Sequence, residues 1–183
     1  MRARRIVTDG CDQAGSSLVE VLIAALIMVT GVVAMVRLIA IAVERNVDAR
    51  SRTMATILAT QKIEQLRALV WTINPSGAEV EDTSTDTSTV PESSGGTGLQ
   101  VSPSGALSVN TPGFVDHLDA TGAIVGRGAQ PPPLATYTRR WSIAPAVVDG
   151  ALVLQVRVVR KNARDDRSGR DIKIVTVKAR KRL

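Results

Sequence analysis

The sequence predicts an α+β chain: one long N-terminal α-helix, membrane-spanning in its first part, packed through its C-terminal half on a small antiparallel β-sheet. Three observations predict this. No charge appears from Val21 to Val36, where nearly every residue is Val, Ile, Leu, Ala or Met. No Gly or Pro appears over residues 44–71, where apolar residues recur at spacings of three, four and seven. Residues 151–159 and 172–180 then alternate with the period of two that strands require.

The apolar run comes first. As a helix, residues 18–36 would extend about 28 Å, close to the roughly 30 Å hydrocarbon thickness of a bilayer. An extension over residues 38–43 follows Arg37. Arg2, Arg4 and Arg5 precede the run, so the N-terminus is expected in the cytoplasm and the remainder outside. A secretory signal would place its small-residue cleavage site after the apolar run. Here the candidate site, Gly15, lies before it, so cleavage would leave the run on the mature chain. Glu20 sits just before the uncharged stretch, where a deeply placed, unpaired carboxylate costs several kcal/mol. Two readings of Glu20 stand level: an acid complementing the helix macrodipole near the interface, or one paired with a cation from another chain.

Gly15-Ser16-Ser17-Leu18-Val19-Glu20, heading an apolar helix, resembles the N-terminal signal of type IV pilins and type II secretion pseudopilins. The resemblance implies a leader peptide over residues 1–15, cleavage between Gly15 and Ser16 by prepilin peptidase, and N-methylation of Ser16. It also implies that Glu20 pairs with the terminal amine of a neighbouring subunit during assembly, and that residues 16–43 form a filament-core helix. A buried carboxylate and a buried ammonium are tolerable only together, so the physics agrees. Ser16 stands where the family usually has Phe, and Arg37 about where major pilins often have Pro; both departures favour a minor subunit. Residues 55–67 are similar to the same region of PilV-type minor pilins and of the I-type pseudopilin. The implied fold is pilin-like and the implied function is type IV pilus assembly or modification. The implied partners are prepilin peptidase, other pilin or pseudopilin subunits, the inner-membrane assembly platform and the lipid bilayer. The pseudopilin of type II secretion is the near alternative.

Residues 44–74 read as an amphipathic continuation of the helix, closed by Asn74-Pro75. Val47, Met54, Ile57, Leu58, Ile63, Leu66, Leu69 and Val70 form its stripe, and Lys62 is among the charges placed mostly off it. Residues 75–112, rich in Ser, Thr, Gly and Pro, read as a flexible loop with a short strand near Leu99–Val101. Residues 113–183 read as the sheet region. Gly113–Val125 has the chemistry of a hairpin turning at Asp119-Ala120-Thr121-Gly122, and strands are expected over 136–143, 151–159 and 172–180. With aromatics at 2 %, the core is expected to be aliphatic, anchored by Trp71, Phe114, Tyr137 and Trp141.

Asp116, His117 and Asp119 invite a metal reading, but calcium needs about six oxygen ligands and zinc a second His or a Cys set. Turn chemistry with a surface histidine is preferred, and no metal or cofactor is expected. The one cysteine, Cys11, forms no intramolecular disulfide, and the apolar run follows it where a lipoprotein would have it before. No nucleophile motif, phosphate-binding loop or Cys/His spacing marks an enzyme. The formal charge of +6 is uneven. Residues 79–92 carry five acids and no base, whereas residues 157–183 carry eleven Lys or Arg against three Asp. Arg157, Arg160, Lys161, Arg164, Arg167 and Arg170 are therefore candidates for a surface that binds DNA or another anionic partner, set against the plainer reading of a solvated basic edge.

Overall fold

The computed structural model describes residues 17–89, 91–161 and 171–182. One helix, α1 (Leu18–Ala68), opens the chain. The chain divides into two compact units, residues 1–46 and residues 47–183, so α1 contributes to both.

In the first unit every described side chain is exposed. Its most apolar 18-residue window has a mean hydropathy of 2.6 and none of it is buried, so length and composition suit a membrane crossing. Thr30 returns its hydroxyl to the Leu26 and Ile27 carbonyls at 3.0 and 2.9 Å, which satisfies its one polar group without a second chain.

In the second unit α1 becomes amphipathic. Ala55, Leu58, Ala59, Lys62, Ile63 and Leu66 are buried, at spacings of three, one, three, one and three. They share a core with Trp141, Ile143, Leu152, Leu154, Val156 and Val158 of a five-stranded antiparallel sheet. Its strands are β5 (Val115–Leu118), β6 (Ile124–Gly126), β7 (Tyr137–Pro145), β8 (Ala151–Arg160) and β9 (Ile172–Ala179), in the order β6-β5-β7-β8-β9. The alternation read in residues 152–159 is realised: Leu152, Leu154, Val156 and Val158 are buried, while Val153, Gln155, Arg157 and Val159 are partly exposed. Phe114, Trp71, Tyr137 and Trp141 are all buried anchors.

The stripe on α1 differs from the sequence reading in two ways. Val47, Ile57 and Val70 are exposed, and Lys62, placed off the stripe, is completely buried. The helix also ends at Ala68, not at Asn74-Pro75. Trp71–Ile73 instead form β1, paired antiparallel with β2 (Glu79–Glu81) and parallel with β10 (Lys181–Arg182). Val70-Trp71-Thr72-Ile73 is a β-branched and aromatic run that suits a strand better than a helix end. Lys178 on β9 donates from Nζ to the Arg67 and Leu69 carbonyls, so a cation from more than a hundred residues away closes the helix C-terminus.

The segment 75–112 contains β2, β3 (Thr85–Asp86) and β4 (Ser93–Ser94), the last two paired as a hairpin. No strand forms at Leu99–Val101. Leu99 is instead a fully buried plug, with Ala106 beside it in the same core. The β5–β6 turn is as expected, with Asp119 Oδ1 accepting from the Thr121 amide, the Thr121 hydroxyl and the Ala123 amide at 2.7–3.0 Å. Those contacts, the Thr121 hydroxyl first, hold the Asp119 carboxyl below the usual carboxylate range. Gly122 closes the turn at φ +91°, and a Cβ there would lie 2.9 Å from Met54 Cε and 3.0 Å from Leu58 Cδ2. Glycine is thus needed for the backbone, and a Cβ there would make the ends of the Met54 and Leu58 side chains shift.

Candidate functional site

Two regions bear on function: the start of α1 and the charged groups of the sheet. Gly15 and Ser16 lie outside the described residues. Helix α1 begins directly after them, with the Ser17 carbonyl accepting from the Glu20 and Val21 amides at 2.8 and 3.2 Å. Ser17 is therefore the N-cap and Glu20 the third helical residue, the spacing of a capping box. A first-turn carboxylate also faces the positive end of the helix dipole. Glu20 is exposed, and so is every apolar residue after it through Val47. The geometry is that of an uncovered apolar rod carrying one acid at its tip.

The described members of the basic set named from the sequence, Arg157, Arg160 and Lys161, do not share a face. The other three, Arg164, Arg167 and Arg170, lie outside the described residues. Arg157 projects from the sheet face opposite the core, where its Nε donates to Asp171 Oδ2 at 2.8 Å. Arg160, three residues on, falls on the other side of the pleat and donates to the Ser51 hydroxyl of α1 at 2.8 Å. Lys161 donates to the Pro132 carbonyl at 3.1 Å.

Of the hairpin acids and histidine, Asp116 and His117 are core groups, which corrects the surface reading of His117, whereas Asp119 stays in the turn. Both Asp116 and His117 are completely buried. His117 Nε2 lies 2.8 Å from the Gly128 carbonyl, which only accepts, so Nε2 donates there, and Nδ1 lies 3.2 Å from the Thr138 hydroxyl. The ring fastens the loop after β6 to β7. Among the described residues no group of three or more His, Cys, Asp or Glu is placed to hold a metal.

Asp116 belongs to a buried charge cluster that the sequence did not reveal. Its Oδ2 accepts from Arg139 Nη2 at 2.7 Å and Nε at 3.2 Å, and lies 3.1 Å from Lys62 Nζ. Lys62 Nζ also donates to the Thr87 carbonyl and hydroxyl at 3.0 and 2.9 Å, and stands 3.9 Å from the centre of the Trp141 ring. Arg139 Nη1 donates to the Leu58 carbonyl of α1 at 3.1 Å. Two cations thus meet one carboxylate, and the surplus charge is met by the Trp141 π face and the Thr87 oxygens. Burial lowers the Lys62 pKa to about 8 against the opposing pull of Asp116. Burial alone would raise the Asp116 pKa, but Lys62 and Arg139 outweigh it and hold the carboxyl below its usual range. The cluster joins α1, β5, β7 and the 75–112 segment. The signal was out of reach in the sequence because its members are separated by up to 77 positions, residues 62 to 139.

No family model matches this chain, and neither a curated protein nor a solved structure matches it.

Proposed function

We propose that this chain is a minor pilin: a membrane-anchored subunit, trimmed by prepilin peptidase after Gly15, that joins a type IV pilus and takes part in its assembly or modification. One observation carries the reading. An apolar helix, exposed throughout the first unit, begins at Leu18, two residues past the Gly15-Ser16 junction, and presents Glu20 in its first turn. Such a rod needs an apolar environment, and lipid and a bundle of like helices both supply one. Transfer from the first to the second is filament assembly. In this reading Glu20 sets the register by meeting the terminal amine of a neighbour, because a carboxylate entering an apolar bundle requires a countercharge. The role is structural, and no reaction is assigned to the chain. The layout of a long helix with an antiparallel sheet over its second half also suits a filament subunit, the sheet being the part left to face outward.

Mass spectrometry of the mature N-terminus, in cells with and without prepilin peptidase, tests the reading. The expected chain begins at Ser16 only where the peptidase is present. A chain still beginning near Met1 in peptidase-competent cells overturns it.

A further inference from the structure

Arg140 on β7, Arg157 on β8 and Lys173 on β9 stand directly opposite one another across three neighbouring strands. All three lie on the face away from the core, because the alternate positions Trp141, Val156 and Val158 are the buried ones. Strands are about 4.8 Å apart, so the row gathers three cations within roughly 10 Å. Like charges directly opposite in a sheet are destabilising. Among the described residues one carboxylate answers them, Asp171, at 2.8 Å from Arg157 Nε. Arg140 Nε donates to Asn110 Oδ1 at 2.8 Å. Burial, and then the neighbouring Arg157 guanidinium, holds the Arg140 pKa below its ordinary value. Each guanidinium is therefore oriented through Nε, and among the described residues no partner takes its Nη atoms. Lys173 is exposed beside them.

We infer that this row is a docking site for the phosphate backbone of a nucleic acid. Two oriented guanidinium forks and an ammonium match phosphate oxygens in both charge and geometry. Charge density favours this ligand over an acidic peptide. A duplex carries one negative charge per roughly 1.7 Å of its axis, whereas an extended peptide presents side chains on one side only every 6.6–6.8 Å or so. All four buried aromatic anchors belong to the core, so this face reads the backbone and not the bases. The site lies wholly within the sheet and does not depend on the filament reading. It also differs from the six basic residues named from the sequence, sharing only Arg157 with them.

The test uses the full chain in detergent micelles and a fluorescein-labelled DNA duplex, with anisotropy read across a salt series. Wild type is expected to bind at low salt, with log K falling linearly against log salt. Arg140→Gln combined with Lys173→Gln should flatten that slope by about 2, near 0.9 for each lost phosphate contact, and weaken low-salt binding about tenfold. Its thermal midpoint should stay level or rise, because like-charge repulsion is relieved, so loss of binding is separable from loss of fold. Arg160→Gln combined with Lys161→Gln removes the same charge elsewhere and should leave the slope unchanged. Absence of binding by wild type at low salt, or equal flattening by both double variants, overturns the site. Displacement of the duplex by poly-glutamate at equal charge concentration overturns the nucleic-acid assignment.

Discussion

Lys62 and Asp116, 54 positions apart in sequence, meet at 3.1 Å with neither side chain exposed to solvent. Because Arg139 takes the same Asp116 oxygen, the carboxylate holds two cations and the cluster keeps a surplus positive charge. The two partners are therefore not equivalent.

Asp116→Asn leaves Lys62 and Arg139 buried without a countercharge, and is expected to lower unfolding stability by about 3–5 kcal/mol. Lys62→Met leaves a neutral Asp116–Arg139 pair and fills the space with an apolar chain of similar length, so its cost should stay within about 1.5 kcal/mol. Urea unfolding of the full chain in detergent, followed by tryptophan emission, measures both. Equal losses would contradict the surplus-charge account.

The same pair predicts a pH dependence. With its folded pKa lowered from 10.5 to about 8, Lys62 binds a proton in the unfolded chain that the folded chain has released between those values. The Lys62 contribution to stability should therefore rise with pH across pH 8 to 10.5, at up to about 1.4 kcal/mol per unit. The stability of wild type minus that of Lys62→Met isolates this term, and a difference flat over the window would refute it. At the acid end Asp116 behaves conventionally. Its lowered pKa contributes stability above the usual carboxylate range, lost as pH falls through the folded value.

Gly122→Ala should destabilise the β5–β6 hairpin by about 1–3 kcal/mol. The substitution combines a φ of +91° with a Cβ pushed against Met54 and Leu58 of α1. Met54→Ala opens the second of these obstacles and should recover part of the loss. A double-mutant cycle on thermal stability reads the coupling.

Glu20 carries two roles that substitution can separate. Glutamine serves a capping box nearly as well as glutamate but brings no charge. Under the filament reading, Glu20→Gln should leave cleavage and membrane insertion intact and impair incorporation into filaments as strongly as Glu20→Val. Immunoblotting of sheared filaments against whole cells checks this. Full incorporation of Glu20→Gln would assign the residue to helix capping alone.

The elements with a strong local period were legible in the sequence. The uncharged run from Val21 became the exposed part of α1, and the alternation of Leu152, Leu154, Val156 and Val158 became the buried face of β8. Both follow from backbone geometry acting over a few neighbours, which a linear chain displays directly. The Asp119–Gly122 turn was legible for the same reason.

What the sequence left open, tertiary structure decided. Lys62, Asp116, His117 and Arg139 look like surface groups in any local window. They are core groups because burial of a polar side chain depends on partners supplied by other elements. The end of α1 at Ala68 depended on β2 and β10, which pair with residues 71–73, and on Lys178 at its last carbonyls. The row Arg140–Arg157–Lys173 exists only through strand register, since a one-residue slip would send Arg157 to the opposite face. The sequence alone determined the strongly periodic parts of α1 and β8 and the Asp119–Gly122 turn, because those depend on neighbours along the chain. Which charges meet, and on which side, was set by the fold, because those contacts join residues that only folding brings together.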